Sequence, residues 1–513
     1  MSEPRINASI RGDDNQIYAV PQNVLFVGQK TSAGTAVTGV LVPNIQNDNS
    51  EDTLFGKNSC LAAMVRAYKK INQNTQIDCI PLTDNASSAR ATGTITFTGT
   101  AAQTGVINIT VGSRLNNIYA VSVSAGDDET DVATAVAAAI NADLTCPVTA
   151  TSEDGAVTLN AVHKGLIGND IGVQVDIKIT GITAVLVGMA SGTLNPTLTG
   201  VFDVVGEKRY QTVCCPQEYG FAFLTNFLDP RLNVENAIQD GVGIMSYRAT
   251  LADFITNVTP LDSQSLTVLA NRLVNDALYK GNAIFELDYV IAAQFSAIRA
   301  LRLTDGADIS SYVVSNKAND QSGGVDLSSL PYHNTPFPYL PIIDIGKSFS
   351  LSEEEEINTA GGSILANNTA GNRIVASRIL TTYKTNSAGV PDDSFKFLNL
   401  ADTASAIRVE YFNFCKSQYA QTRLSSGSVV GNSAMVNTIT IAADMTGLYQ
   451  TLAGEGFMLV AAGADSVDFY KKNLVVQITS LANGSVMISM RVIPVTQLRN
   501  ITLPIQLSFN TLT

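Results

Sequence analysis

Few residues in this chain have the type and spacing that chemistry needs. His163 and His333 are its two histidines, and neither is followed by a second ligand at metal-binding distance along the chain. Both are expected to be structural. Cys60, Cys79, Cys146, Cys214, Cys215 and Cys415 show no CxxC spacing, and in a chain of cytosolic type they are expected as buried free thiols. No GxSxG, HExxH or EF-hand pattern occurs. The Gly28-to-Gly34 segment lacks both the spacing and the following Lys-Ser or Lys-Thr of a phosphate loop. Asp127-Asp-Glu-Thr-Asp131 is read as capping the next helix rather than as a calcium site. Ser352-Glu-Glu-Glu-Glu356 is read as a capping box of Ser352 with Glu355, or as a solvated charge run; a contact with a basic partner is the sharper alternative. No catalytic residue, cofactor or metal is expected, and the chain is not expected to be an enzyme.

The elements around these residues describe a multidomain protein. At 513 residues, 45% hydrophobic and 15% charged, the chain is long enough for two to four domains. Residues 23–28 read as a strand, 59–71 as a helix with Leu61, Met64, Val65 and Tyr68 on one face, and 76–81 as a strand. Strand, helix, strand predicts a parallel pair. From about 91 to 180 the pattern alternates with period two, which predicts an inserted β-rich domain. Helix and strand patterns then alternate again up to a helix over 289–300, and 321–341 reads as loop. A third region from Ile374 contains a strand, helices at 402–424 and 444–452, and a hairpin whose runs 474–481 and 485–493 flank Asn483-Gly484. The fold class is thus α/β, mixed α+β and multidomain. The expected division is a core of 21–90 and 181–373, an insert of 91–180 and a C-terminal α+β domain of 374–498.

Both chain ends alternate. Ile6, Ala8 and Ile10 form one apolar face, and Ile501, Leu503, Ile505, Leu507 and Phe509 form another. Pro504 places the last strand at a sheet edge. Each end either edges its own domain's sheet or adds to a sheet of another subunit. The net charge of −13, with no basic run, argues against nucleic acid as a partner. No stretch is long and apolar enough to span a bilayer, and Met1-Ser-Glu-Pro-Arg5 carries no leader pattern, so a soluble chain made in the cytoplasm is expected.

Several stretches together resemble the contractile tail sheath proteins of Mu-like phages. They are Leu54-Phe-Gly-Lys-Asn-Ser-Cys-Leu-Ala-Ala-Met-Val-Arg-Ala-Tyr68 with Ile80-Pro81, Gly93-Thr-Ile-Thr-Phe-Thr-Gly99 through Asn141, Ala161-Val-His-Lys-Gly-Leu-Ile-Gly-Asn-Asp170, Ala376-Ser-Arg-Ile-Leu-Thr-Thr-Tyr-Lys-Thr-Asn386, and the end of the chain from Gly456 to Gln506. The resemblance thins between about 225 and 340. It implies a virion subunit, assembled in the host cytoplasm, that stacks as hexameric rings around a tail tube and contracts to drive the tube through the host envelope. It further implies exchange of the terminal strands 1–20 and 499–513 between subunits, and tail tube, baseplate and tail terminator proteins as partners. The insert would face outward. The C-terminal domain would face the tube, with Arg408, Glu410, Lys416 and Arg423 as candidate contacts. A phage or cell-surface adhesin is the alternative; it predicts trimeric repeats or a secretion signal, and the sequence has neither.

Overall fold

The computed structural model describes residues 22–45, 49–232, 234, 237–303, 332–429, 434–454 and 465–492. Both expected arms lie outside them, with Ile6, Ala8 and Ile10 at one end and Ile501, Leu503, Ile505, Leu507 and Phe509 at the other, as do residues 321–331 of the expected loop. The chain divides into two compact units, one reaching Ala401 and one starting at Asp402.

The first unit opens with β1 (Asn23–Gln29), α1 (Ser50–Phe55), α2 (Cys60–Lys69) and β2 (Gln76–Leu82). The Ser59 hydroxyl accepts from the Ala62 N–H and starts α2, and Leu61, Met64, Val65 and Tyr68 are buried on its inner face. β1 and β2 run parallel, from Asn23 opposite Gln76 to Gln29 opposite Leu82, as the strand–helix–strand order predicts.

The insert comes next as β3 (Arg90–Gly99), β4 (Gly105–Val111), β5 (Ile118–Val123), α3 (Glu129–Ala142), β6 (Val148–Glu153), β7 (Ala156–Lys164), β8 (Val173–Ile177) and β9 (Ile182–Ala190). Asp128 caps α3 in a reciprocal box with Asp131, so this acidic cluster holds a helix start, as its sequence position indicates. The strands form a four-stranded sheet in the order β6-β7-β3-β9 and a second layer in which β4 lies between β5 and β8. The segment therefore runs past residue 180, because β9 pairs along most of β3.

The core resumes with β10 (Thr212–Cys214), α4 (Phe221–Leu228), β11 (Val242–Ala249), α5 (Leu251–Val258), β12 (Leu266–Asp276), β13 (Tyr279–Asn282) and α6 (Asp288–Leu303). It closes with β14 (Pro336–Phe337), α7 (Leu351–Ala360), β15 (Gly362–Asn367) and β16 (Ile374–Arg378). The parallel sheet has the order β2-β1-β10-β11-β12-β15, with β16 and β14 added antiparallel. Residues 374–401, expected to open the C-terminal domain, thus belong to the first unit, and their strand β16 completes its sheet. Successive residues of β1 bury on opposite faces: Val24 and Phe26 pack with α2 and α6, while Leu25 and Val27 join the cluster that holds α4, α5 and α7 side chains. Burial on both faces makes a three-layer α/β core and explains the nearly unbroken apolar run of β1. β13 pairs antiparallel with β12 on one side and with β8 of the insert on the other. One apolar cluster consequently runs from α2 and α6 into the insert.

The second unit contains most of α8 (Leu398–Tyr419), β17 (Arg423–Leu424), β18 (Met435–Val436), α9 (Thr438–Gly454), α10 (Asp465–Asn473), β19 (Val475–Ser480) and β20 (Ser485–Ser489). Helix α8 starts earlier than the expected 402–424 and also ends earlier, because Arg423 and Leu424 pair with Met435 and Val436 as short strands. Ile407, Tyr411, Ile441, Met445, Tyr449, Leu452 and Tyr470 make its core, with Tyr449 and Tyr470 stacked at 4.3 Å. The hairpin forms as expected, Val476 opposite Ile488.

Candidate functional site: a joint at the strand ends and the assembly surfaces

Open α/β sheets bind ligands outside the carboxyl ends of their strands, at the point where strand order reverses. Here that point lies between β1 and β10, whose order in the sheet departs to opposite sides. The place is taken by the chain itself. His163 Nε2 accepts from the Cys60 N–H at 3.0 Å at the start of α2, which puts the ring proton on Nδ1, 3.0 Å from Asp84 Oδ1 just after β2. Asp84 also accepts from Gln29 Nε2 at 2.7 Å and from the Lys164 N–H at 2.8 Å. Burial alone would push the Asp84 carboxyl up; the hydrogen bonds from His163, Lys164 and Gln29 hold it below the usual range.

The rest of the segment continues the attachment. Gly165 has φ of +107°, and a Cβ there would stand 2.7 Å from the Leu194 carbonyl oxygen, so only glycine fits. Asn169 bonds both ways with Gly192, its Oδ1 accepting at 2.8 Å and its Nδ2 donating at 3.1 Å. Asp170 receives Gln217 and Arg248, and Arg248 also donates to the Asn169 carbonyl at 3.0 Å. The His-Lys-Gly…Gly-Asn-Asp stretch is therefore a rivet that fixes the insert to the ends of β1, β2, β10 and β11.

Beside it lie buried acids. Burial, and then the charge of Asp170, push the Glu218 carboxyl well above the usual range. Ser113 of the insert donates to Glu286 Oε2 at 2.6 Å, and burial pushes Glu286 up to about 7. A raised carboxyl pKa stabilises the fold fully below its unfolded value, and that contribution is lost as pH rises through about 7. Glu286→Gln is thus expected to gain stability relative to the unmodified chain between pH 4.5 and 7, by about 1–3 kcal/mol. Urea unfolding of both chains across pH 4.5–8 measures it; parallel pH curves would refute it.

The structure disperses the remaining expected residues. His333 is exposed, its Nδ1 2.7 Å from the Ser377 carbonyl oxygen. Cys415 is half-buried and the other five thiols are buried, all six free. The capping box of α7 pairs Ser350 with Glu353, not Ser352 with Glu355; the helix begins at Leu351, two residues earlier than the Ser-Glu spacing taken from the sequence. Arg408, Glu410 and Lys416 do not form one patch. Arg408 and Lys416 are two turns apart, while Glu410 points about 200° around from Arg408 at roughly 100° per residue. Lys416 is exposed above the Phe412 ring at 5.9 Å. Arg423 is exposed in β17, its N–H donating to Ala434 at 2.8 Å. Among the described residues, no group of three or more His, Cys, Asp or Glu side chains is disposed to hold a metal, and no helix is long and apolar enough to cross a membrane.

The hairpin is the second surface. Val476, Val486 and Ile488 face the second unit's core, whereas Val475, Gln477, Met487 and Ser489 are exposed. Among the described residues both of its edges are unpaired. Sequence reasoning found the hairpin from its turn but missed the β8–β13 pairing, for which no local signal exists.

No family model matches the chain. A sheath tail protein from Listeria innocua aligns structurally with a TM-score of 0.46 and 13% identity, covering 93% of this chain and 92% of its own. The helical sheath of the anti-feeding prophage in its contracted state aligns with a TM-score of 0.46 and 11% identity, covering 99% of each chain. In sequence, the Mu-like prophage FluMu tail sheath protein of Haemophilus influenzae is 24% identical over 444 residues, which is 85% of this chain and 83% of that protein. The resemblance read from the sequence motifs therefore stands, and this chain is similar over most of its length to a Mu-like tail sheath protein.

Proposed function

We propose that this protein is the structural subunit of a contractile tail sheath, polymerising as stacked hexameric rings around a tail tube. The observation that carries the reading is the 24% identity to a Mu-like tail sheath protein across 85% of the chain. The architecture supports it physically. Contraction by rigid-body rotation and sliding needs subunits that keep their internal geometry while their contacts change. The joint at the strand ends, with its salt bridge, shared hydrogen bonds and continuous apolar cluster, ties insert to core as one body. The energy then resides in the difference between two sets of inter-subunit contacts, and no cofactor is called for.

In this reading the arms, with Ile6, Ala8 and Ile10 and with Ile501, Leu503, Ile505, Leu507 and Phe509, add as strands to neighbouring subunits. The β19–β20 hairpin is a suitable acceptor, because strand addition needs an unpaired edge and an apolar face, and among the described residues it has both. The insert faces outward, and the second unit faces the tube, with Lys416 and Arg423 as its exposed candidate contacts; Arg408 and Glu410, on other sides of α8, do not join them in one patch. Baseplate and terminator proteins cap the polymer, and the tail forms in the host cytoplasm.

Negative-stain microscopy of the full chain beside a variant ending at Arg499 tests this. Helical tubes from the full chain, with only monomers or short rings from the shortened one, are the expected result. Equal assembly of both would refute strand exchange by the C-terminal arm. Absence of any polymer from the full chain at high concentration would count against the sheath reading and favour an adhesin.

A further inference from the structure

The loop from Pro341 to Leu351 exposes apolar side chains in a way that internal packing does not require. Ile345 is fully exposed, Leu351 is 85% exposed and Ile342 is 42% exposed. The loop is nevertheless held firmly. The Lys347 N–H closes a turn onto the Asp344 carbonyl at 3.1 Å, with Gly346 at φ of +79° supplying the conformation the turn needs. Arg114 of the insert grips Asp344 through two hydrogen bonds of 2.8 Å each. Lys347 pairs with Asp276 and lies over the Tyr279 ring. Asn367 bonds the Ile343 backbone on both sides, at 2.9 and 2.8 Å. Arg272 donates to the Ser348 carbonyl at 2.7 Å and reaches Glu353 at 3.4 Å.

Ile345 is thus the tip of a braced turn. Its ordering cost is met within the folded subunit, which is what a binding anchor requires. A rigid apolar tip rimmed by polar groups marks an interaction site. The charge pattern indicates the partner. The three bases and three acids of these ion pairs cancel, on a chain of net charge −13. The charges that brace the tip are thus balanced, while the exposed Glu355 and Glu356 follow along α7, so at Ile345 itself a second copy of this acidic chain can approach with little like-charge repulsion.

We propose that the Ile345 turn is a docking knob for a second copy of this chain, inserted into a different surface of the neighbour. A knob and its pocket make a head-to-tail contact, which propagates rings or filaments rather than closing a dimer. The inference deepens the sheath reading and rests on it for the nature of the polymer.

The test compares the full chain, Ile345→Asp, Leu351→Asp and, as a control, Val37→Asp at another exposed apolar position, by sedimentation velocity and negative-stain microscopy. All three side chains are exposed, so unchanged circular dichroism and melting are expected. The expected result is that Ile345→Asp raises the concentration needed for assembly about ten- to hundredfold and Leu351→Asp less, while Val37→Asp leaves it unchanged. If Ile345→Asp assembles like the full chain, or Val37→Asp fails equally, the knob is refuted while the sheath reading stands. If the full chain makes no tubes but self-associates in a way that Ile345→Asp abolishes, the knob stands and the sheath reading falls. A full chain that stays monomeric at every concentration overturns both.

Discussion

Glu51→Ala is expected to destabilise the first unit by about 3–5 kcal/mol. Glu51, in the first turn of α1, accepts from Lys69 Nζ at 2.9 Å in the last turn of α2, and the two side chains are only 1% and 8% exposed. Removing Glu51 takes the paired carboxylate from the Lys69 ammonium in a poorly solvated site, and that desolvation cost dominates the loss. The same two helices carry a second pair, Arg66 with Asp52, whose side chains are 25% and 29% exposed. Solvent screens that pair, so Asp52→Ala is expected to cost no more than about 1 kcal/mol. The contrast separates burial from proximity as the cause. Urea denaturation of both variants measures it, with Glu51→Leu combined with Lys69→Met as the informative partner. Replacing the whole pair with apolar side chains of similar size is expected to recover most of the stability. A double variant as weak as Glu51→Ala would mean that the charges are net stabilising and that desolvation is not the main term. The consequence reaches the joint, because α2 carries at its other end the Cys60 N–H on which His163 rests.

The sequence made the local elements of this fold legible and left their long-range pairing hidden, for a physical reason. Periodicity and end signals are properties of neighbouring residues. They located β1, α2, β2, the strands β3 to β5, α3 with its Asp128 cap, and the Asn483-Gly484 hairpin. Where two registers satisfied one signal, the sequence could not choose between them. Ser350 and Ser352 each precede a glutamate by three residues, and the structure uses Ser350, leaving Ile357 and Ala360 buried. The insert's far boundary was missed because β9 owes its place to pairing with β3, some ninety residues earlier. The division at 374 failed similarly: β16 is continuous in sequence with the C-terminal region but pairs with β15 and β14. The His163–Asp170 motif was visible as a resemblance, yet its role emerges only once Asp84, Cys60 and Arg248 arrive from three other elements.

Asp288→Ala is expected to cost about 3–5 kcal/mol and to loosen the insert from the core. Asp288 begins α6, where a carboxylate favours the helix dipole. It is buried and accepts from Ser246 Oγ at 2.7 Å, Asn282 Nδ2 at 2.8 Å and Asn271 Nδ2 at 3.1 Å. Truncation takes the acceptor from three buried donors at once. Each unsatisfied group costs about 1–3 kcal/mol, partly relieved where the Asn282 and Asn271 amides retain bonds to the Glu286 and Ile284 carbonyls. Asp288→Asn keeps the size but turns an N–H₂ group toward donors, so it is expected to recover less than half of the loss. Burial pushes the Asp288 carboxyl up to about 6. Its contribution as a neutral acid is therefore present at low pH and declines as pH rises through about 6, and the cost of Asp288→Asn is expected to be smaller at pH 8 than at pH 5. The location makes the loss specific. Asn282 ends β13, the strand that pairs with β8 of the insert, so amide exchange in β8 and β13 is expected to accelerate while exchange in β1 and β2 stays slow. Uniform acceleration across the whole first unit would show that the network supports global stability alone, and that core and insert do not separate at this seam.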